Sequence, residues 1–209
     1  MNENARRPPG AVVFDLGNVL IRWDPHPAIA AGVGPDEATR FLAADDFDFH
    51  AWNHQQDAGR TWAEAEHEAV TSHPHLRDHL LAYRQHFAVS LTGQIDDTVA
   101  ILRELHAAAV PLFALTNWSG ELFPQARERF EFLELFEDIV VSGDERVAKP
   151  APEIFAILER RVARPLGDCV FIDDSPANVE AATKAGLDTI LFTDTAHLRE
   201  DLRTRGLPV

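Results

Sequence analysis

Two groups of acids along this chain could do chemistry together. Asp15 closes an apolar run, Ala11-Val12-Val13-Phe14, and opens Asp15-Leu16-Gly17-Asn18-Val19-Leu20. Far downstream, Cys169-Val170-Phe171-Ile172 ends in Asp173-Asp174. A carboxylate at the carboxyl end of a buried strand sits where open α/β sheets place their ligands. Two strands that deliver acid to one sheet edge suggest a magnesium site, because Mg²⁺ takes hard oxygen donors. One of those acids could also be a nucleophile. Thr116-Asn117 and Lys149 lie between the two groups in sequence, each next to a strand or helix signal. Singly, each has a bland reading. An Asp at a strand end is most often a turn residue or a helix cap, a Lys before Pro150 is usually solvated, and Thr-Asn is a common strand-to-helix turn. Their joint occurrence is what points to a site.

The elements that must position them alternate. After Val110, apolar runs at residues 112–116, 139–141, 170–172 and 190–192 read as short strands. Between them, residues 119–130, 153–163 and 176–185 read as helices, the first capped by Ser119, the last opened by Ser175-Pro176 and closed by Gly186. Short apolar strands between amphipathic helices predict an α/β fold, a Rossmann-like parallel sheet sandwiched by helices. Residues 22–91 differ. They are rich in Ala, His, Asp and Glu, with no convincing strand and with helix candidates at 35–44, 61–72 and 75–89. Thr61 and Glu64 fit a capping box. The expected organisation is a core of residues 9–21 and 92–209, a small helical cap of residues 22–91 inserted after the first strand, and a disordered arm over residues 1–8.

Composition sets outer limits. An apolar share of 45% in 209 residues is enough for a core of that size. The net charge of −15, from 19 Lys+Arg against 34 Asp+Glu, argues against non-specific binding to nucleic acid or to an anionic membrane. The single cysteine, Cys169, rules out an intramolecular disulfide and fits a reducing compartment, hence a cytoplasmic protein. No apolar stretch approaches the length of a membrane span. Oligomeric state, monomer or homodimer, is left open.

The order of the four elements resembles the haloacid dehalogenase-like hydrolase superfamily. Phe14-Asp15-Leu16-Gly17-Asn18-Val19 is similar to its first motif and Ala114-Leu115-Thr116-Asn117 to its second. Lys149-Pro150 with Pro152-Glu153-Ile154-Phe155 is similar to its third, and Phe171-Ile172-Asp173-Asp174-Ser175-Pro176 with Asn178 to its fourth. The helical insertion resembles the subgroup with an α-helical cap. The resemblance implies that Asp15 attacks phosphorus and that water then hydrolyses the aspartyl-phosphate. It implies Mg²⁺ held by Asp15, the Gly17 carbonyl and Asp174, with Asp173 either a further ligand or an outer-shell orienter. Thr116 and the amide of Asn117 would hold a phosphoryl oxygen, and Lys149 would neutralise charge. The backbone amides of Leu16 and Gly17 could add donors.

One position departs from the pattern. The family's phosphatases usually carry an acid two residues after the nucleophile, and here that residue is Gly17. General acid–base help is worth about 10² to 10⁴ in rate. Asp24 and the cap histidines are possible substitutes. Some helical-cap members with Asp-Leu-Gly-Asn-Val resemble sugar-phosphate phosphatases, so the expected substrate is a small phosphorylated metabolite such as a sugar phosphate. Two alternatives stand beside it. A 2-haloacid dehalogenase would use the same nucleophile on carbon without metal, but Asp173-Asp174 would repel its anionic substrate. A non-catalytic binding module could have lost turnover with its acid. Specificity is expected in the stretch from Trp52 through His54 and Arg60 to Trp62, read as a connection between two helices, with Trp23 and Trp118 nearby.

Overall fold

The computed structural model describes residues 8–209. Of the expected N-terminal arm, residues 1–7 lie outside the described residues. The main sheet has five strands, all parallel: β1 (Ala11–Phe14), β4 (Leu112–Thr116), β5 (Asp138–Val141), β6 (Cys169–Asp173) and β7 (Asp188–Leu191), in the order β5-β4-β1-β6-β7. This is the expected Rossmann-like architecture. β1 is central, and its alternate residues feed two cores. Val12 and Phe14 join one apolar cluster, Ala11 and Val13 the other. Burial on both faces explains why the strand reads as an unbroken apolar run rather than an alternation.

From β1 the chain passes outward through β4 and β5, then crosses to β6 and β7 on the other side. The strand order therefore reverses at β1, and a crevice opens at the carboxyl ends there. Helices α7 (Asp96–Ala107), α8 (Phe123–Arg129), α10 (Pro152–Val162), α11 (Pro176–Ala185) and α12 (Thr195–Thr204) make the covering layers, with the four-residue α9 (Ser142–Glu145) after β5. Pro152 and Pro176 open α10 and α11 at their first turn, where a missing N–H costs nothing. Gly186 ends α11 at φ +101°, a conformation a side chain resists.

Between β1 and α7 lie six α-helices: α1 (Pro25–Val33), α2 (Pro35–Leu42), α3 (Phe49–Asp57), α4 (Trp62–Ser72), α5 (Arg77–Gln85) and α6 (Phe87–Ser90). The capping box at the start of α4 is present, with Glu64 N–H donating to Thr61 Oγ1 at 3.2 Å and Thr61 N–H to Glu64 Oε2 at 3.1 Å.

Several expectations need correction. Two short strands, β2 (Ile21–Trp23) and β3 (Leu91–Gln94), pair antiparallel at the two ends of the insertion. At three and four residues, with Gly93 inside one, they are too brief for a periodic signal. The helix after β4 begins at Phe123, not Ser119. The Ser119 hydroxyl instead accepts from Trp62 Nε1 at 2.9 Å, and Pro124 sits in the helix's first turn. Helix α1 gives no clear signal in the sequence, because Pro25 and Pro27 resemble breakers although both fall in its first turn. Helix α3, Phe-His-Ala-Trp-Asn-His-Gln-Gln-Asp, has a weak apolar period and read as a connection. The helix expected over 75–89 breaks at His86 into α5 and α6.

Candidate active site

Register brings the acids together. Phe14 of β1 pairs with Ile172 of β6 and with Ala114 of β4, so the next residues, Asp15, Asp173 and Leu115, lie side by side at the carboxyl end of the central strands. Asp15 N–H donates to the Ile172 carbonyl at 2.8 Å, which extends the ladder by one bond and fixes the start of the loop. Leu16 is wholly buried, and its carbonyl accepts from Leu20 and Ile21 N–H at 2.9 and 2.8 Å. The chain thus folds back sharply through Gly17 and Asn18, the latter at φ +54°. Carboxylate oxygens of Asp15, Asp173 and Asp174 all lie within 4.8 Å of one another.

Lys149 lies under this cluster with 1% of its surface exposed. Its ammonium donates to Asp173 Oδ2 at 2.7 Å and to the Leu115 carbonyl at 2.8 Å, and sits 2.9 Å from Asp15 Oδ1. All three donors of the ammonium are therefore used. Burial alone would push Lys149 down, but the charges of Asp15 and Asp173 outweigh it and hold it above its ordinary value. Asp15 is 7% exposed, and burial lifts it above the usual carboxylate range, with Asp173 and Asp174 adding and Lys149 opposing. Lys149 bridges two carboxylates at hydrogen-bonding distance, and that geometry belongs to an ion pair.

Asp173 is fully buried and its two oxygens accept from Lys149 Nζ, Ser175 N–H at 2.8 Å and Asn178 Nδ2 at 3.0 and 3.2 Å. With both oxygens engaged, its geometry favours the orienting role over the ligand role. Asp174 meets solvent at the rim of the cluster, and partial desolvation of its carboxyl, with the neighbouring Asp173 charge, raises it. Three carboxylates against one ammonium leave a local charge near −2. The donor set is all oxygen. Both features fit a hard divalent cation, and Asp15 with Asp174 are the carboxylates able to hold it.

The strand β4 ends in Thr116, which is 1% exposed beside the cluster. Asn117 follows it, and its side chain bonds the backbone of Lys149 on both sides. One N–H and one lone pair of the side-chain amide are therefore taken up in placing Lys149.

A cavity of about 260 Å³ opens above the acids. Asp15, Gly17, Asn117, Asp174 and Asn178 form its floor end, and His50, Asn53, His54 and Asp57 of α3 also line it. Its apolar wall is Trp23, Trp62, Tyr83, Phe87 and Trp118. Most of the wall's polar atoms are engaged. Trp62 Nε1 donates to Ser119 Oγ, and Trp23 Nε1 to the Tyr83 hydroxyl at 3.2 Å. Trp118 Nε1 is the exception, buried without a partner among the described residues.

Of the expected specificity stretch, Asn53, His54, Asp57 and Trp62 line this cavity, as do Trp23 and Trp118, whereas Trp52 and Arg60 do not. Trp52 is 6% exposed and packs on Trp62, with ring centres 5.4 Å apart, away from the lining. Arg60 donates to Gln56 Oε1 at 2.7 Å, Glu68 Oε2 at 2.8 Å and the Trp52 carbonyl at 3.3 Å. Both residues brace the α3–α4 turn because α3 is a helix, which turns the face of Trp52 inward. Asp24 caps α1 through His26 N–H at 2.9 Å and does not line the cavity. Among the cap histidines only His50 and His54 line it.

Sequence reasoning did not single out Asp57, which lies inside the expected specificity stretch, or Ser142. Asp57 ends α3, and its carbonyl accepts from Ser142 Oγ at 2.5 Å, while Ser142 Oγ accepts from Trp118 N–H at 3.0 Å. Burial raises the Asp57 carboxyl to about 7, opposed by the Ser119 backbone amide and reinforced by Asp15. An acid in a polar stretch gives no periodic signal, so only the fold could single it out.

The chain is similar to known proteins in both sequence and fold. The sesquiterpene phosphatase astK of Aspergillus oryzae is 24% identical over 92% of this chain and 94% of its own length. A probable pseudouridine-5'-phosphatase of Drosophila melanogaster is 34% identical, over 45% of this chain and 43% of that protein. Among solved structures, a HAD family enzyme of Bacteroides thetaiotaomicron in complex with magnesium and inorganic phosphate superposes with a TM-score of 0.69 at 22% identity, covering 90% of this chain and 98% of that one. The family profile described as haloacid dehalogenase-like hydrolase matches residues 9–186, and the chain belongs to that family.

Proposed function

We propose that the protein is a Mg²⁺-dependent phosphatase of a small phosphorylated metabolite, working through an aspartyl-phosphate on Asp15. The observation that carries this reading is the convergence of Asp15 and Asp174 at the end of one cavity, with Lys149 buried beneath them at the switch point of the sheet. The relatives named as phosphatases support it. Asp15 Oδ would attack phosphorus, and Lys149, held by Asp173, would keep Asp15 ionised and pointed at the cavity. Asp15, the Gly17 carbonyl and Asp174 would hold the Mg²⁺, which when bound relieves repulsion between the carboxylate and the phosphate dianion. Backbone amides of Leu16 and Gly17, with Thr116, would hold phosphoryl oxygens. Residues 22–91 would act as the cap that closes the cavity against water.

The wall of the cavity also bears on the substrate. With Trp62 and Tyr83 already hydrogen-bonded, it offers mainly ring faces, so a leaving group with an apolar or ring-bearing body fits it better than a polyol. Phosphate release from a panel of sugar, aryl and isoprenoid monophosphates, with Mg²⁺, tests both parts. Turnover with a lower KM for the apolar esters is expected. Absence of release from every ester contradicts the phosphatase reading, and a preference for sugar phosphates contradicts the substrate reading alone.

A further inference from the structure

Phosphate ester cleavage leaves an oxygen that needs a proton, and the residues named so far do not supply one. Gly17 occupies the position where a donor is expected, and a Cβ built on it would meet no atom within 4 Å. That open space belongs to the same cavity as Asp15. Among the described residues, three carboxylates line this cavity: Asp15, Asp57 and Asp174. The phosphatase reading uses Asp15 as nucleophile and Asp174 as metal ligand. Asp57 is left, and it makes no salt bridge among the described residues.

Asp57 is also held in place from two sides. Its carbonyl is bonded by Ser142 Oγ, which in turn takes the N–H of Trp118, one residue beyond Asn117. Two residues on, Gly59 sits at φ +96° against the backbone of Arg146, where a Cβ would come within 2.8 Å. The end of α3 is thus pressed onto α9 and Arg146 after β5, and Ser142 links it to the loop after β4 through Trp118. The carboxylate itself is lightly tethered, by Asn53 Nδ2 to Oδ2 at 3.3 Å and by the Ser119 backbone amide, and its residue is half-buried.

We propose that Asp57 is the general acid–base of the reaction, standing in from the helical insertion for the side chain that position 17 lacks. The inference rests on the phosphatase reading of the same site. In the first step Asp15 Oδ forms a bond to phosphorus, the bond from phosphorus to the leaving oxygen breaks, and that oxygen takes the Asp57 proton. In the second step water attacks the aspartyl-phosphate, its proton passes to the Asp57 carboxylate, and Asp15 leaves as carboxylate. The products are an alcohol and inorganic phosphate, and Asp57 returns to its acid form. Its carboxyl, raised by burial to about 7, is present in both forms at neutral pH, as a group working in both directions requires. The titratable groups that share its cavity are Asp15 and Asp174 from the sheet edge, His50 and His54 on its own helix and Tyr83 on α5.

The test is a series of phosphomonoesters of graded leaving-group pKa, p-nitrophenyl, phenyl and a simple alkyl phosphate, hydrolysed by wild type, Asp57→Asn and Asp57→Glu with Mg²⁺. Asp57→Asn is expected to lose about 10²-fold or more in kcat on the alkyl ester and about tenfold or less on the activated nitrophenyl ester. The alkaline limb of the alkyl-ester pH profile disappears with it. Asp57→Glu keeps a carboxyl and should show a smaller selective loss. An equal loss on all three esters in both variants, or no loss, overturns the assignment while leaving the phosphatase reading standing. Inert wild type overturns both.

Discussion

Asn117 grips the backbone of Lys149 with both ends of its side-chain amide. Nδ2 donates to the Lys149 carbonyl at 2.8 Å, and Oδ1 accepts from the Lys149 N–H at 2.8 Å. The loop after β4 therefore sets the position of a lysine that lies more than thirty residues later, and through it the ammonium between Asp15 and Asp173.

Asn117→Ala should accordingly act on both stability and activity. Two hydrogen bonds to partly buried backbone are lost, at a cost of about 1–3 kcal/mol. Denaturant unfolding measures this. Turnover should fall by at least about tenfold, because a displaced Lys149 no longer fixes Asp15. Full activity in a destabilised variant would show that Lys149 finds its place without the clamp.

Asp174→Asn separates metal binding from folding. Asp174 is exposed, so its replacement should change stability by no more than about 0.5 kcal/mol. Calorimetric titration should show Mg²⁺ affinity reduced by about tenfold or more. Unchanged affinity would remove Asp174 from the ligand set.

Stability should depend on pH through Asp57. Its folded-state value, about 7, lies above the ordinary value of 3.8. Between those two values the folded chain holds a proton that the unfolded chain has released. The associated stability is fully present below about 4 and is lost as pH rises through about 7. Without metal, Asp57→Asn should gain about 1–2 kcal/mol relative to wild type on going from pH 4 to pH 8, after allowance for partial exposure. Unfolding curves in EDTA at the two pH values measure it. A wild-type and variant difference that stays constant with pH would mean that Asp57 is ionised throughout.

Much of the sheet was legible in the sequence because parallel strands buried on both faces are short continuous apolar runs. Cys169-Val170-Phe171-Ile172 and Leu112 to Thr116 announce themselves in this way, and Pro152, Pro176 and Gly186 mark the helix ends. The acids Asp15 and Asp173-Asp174 were legible because each ends such a run. The helical insertion was less so. Prolines at 25 and 27 resemble breakers until their place in the first turn is known, and α3 mixes aromatic with polar residues and has no clear stripe. Trp52 and Arg60 looked like ligand contacts for that reason. Once α3 is a helix, Trp52 faces Trp62 and Arg60 closes back on Gln56. Asp57 and Ser142 depend on a tertiary contact across 85 positions, which no local pattern encodes.

The central claim, nucleophilic attack on phosphorus by Asp15 with metal help, is tested most directly by p-nitrophenyl phosphate hydrolysis. The purified protein would be assayed with Mg²⁺ and with excess EDTA, and Asp15→Asn would serve as the blank. This ester has a leaving group that needs little protonation, so the result does not hinge on Gly17 or Asp57. Metal-dependent release of p-nitrophenol that vanishes in Asp15→Asn is the expected result. Release that persists in Asp15→Asn, or no release by wild type with Mg²⁺, would contradict the assignment.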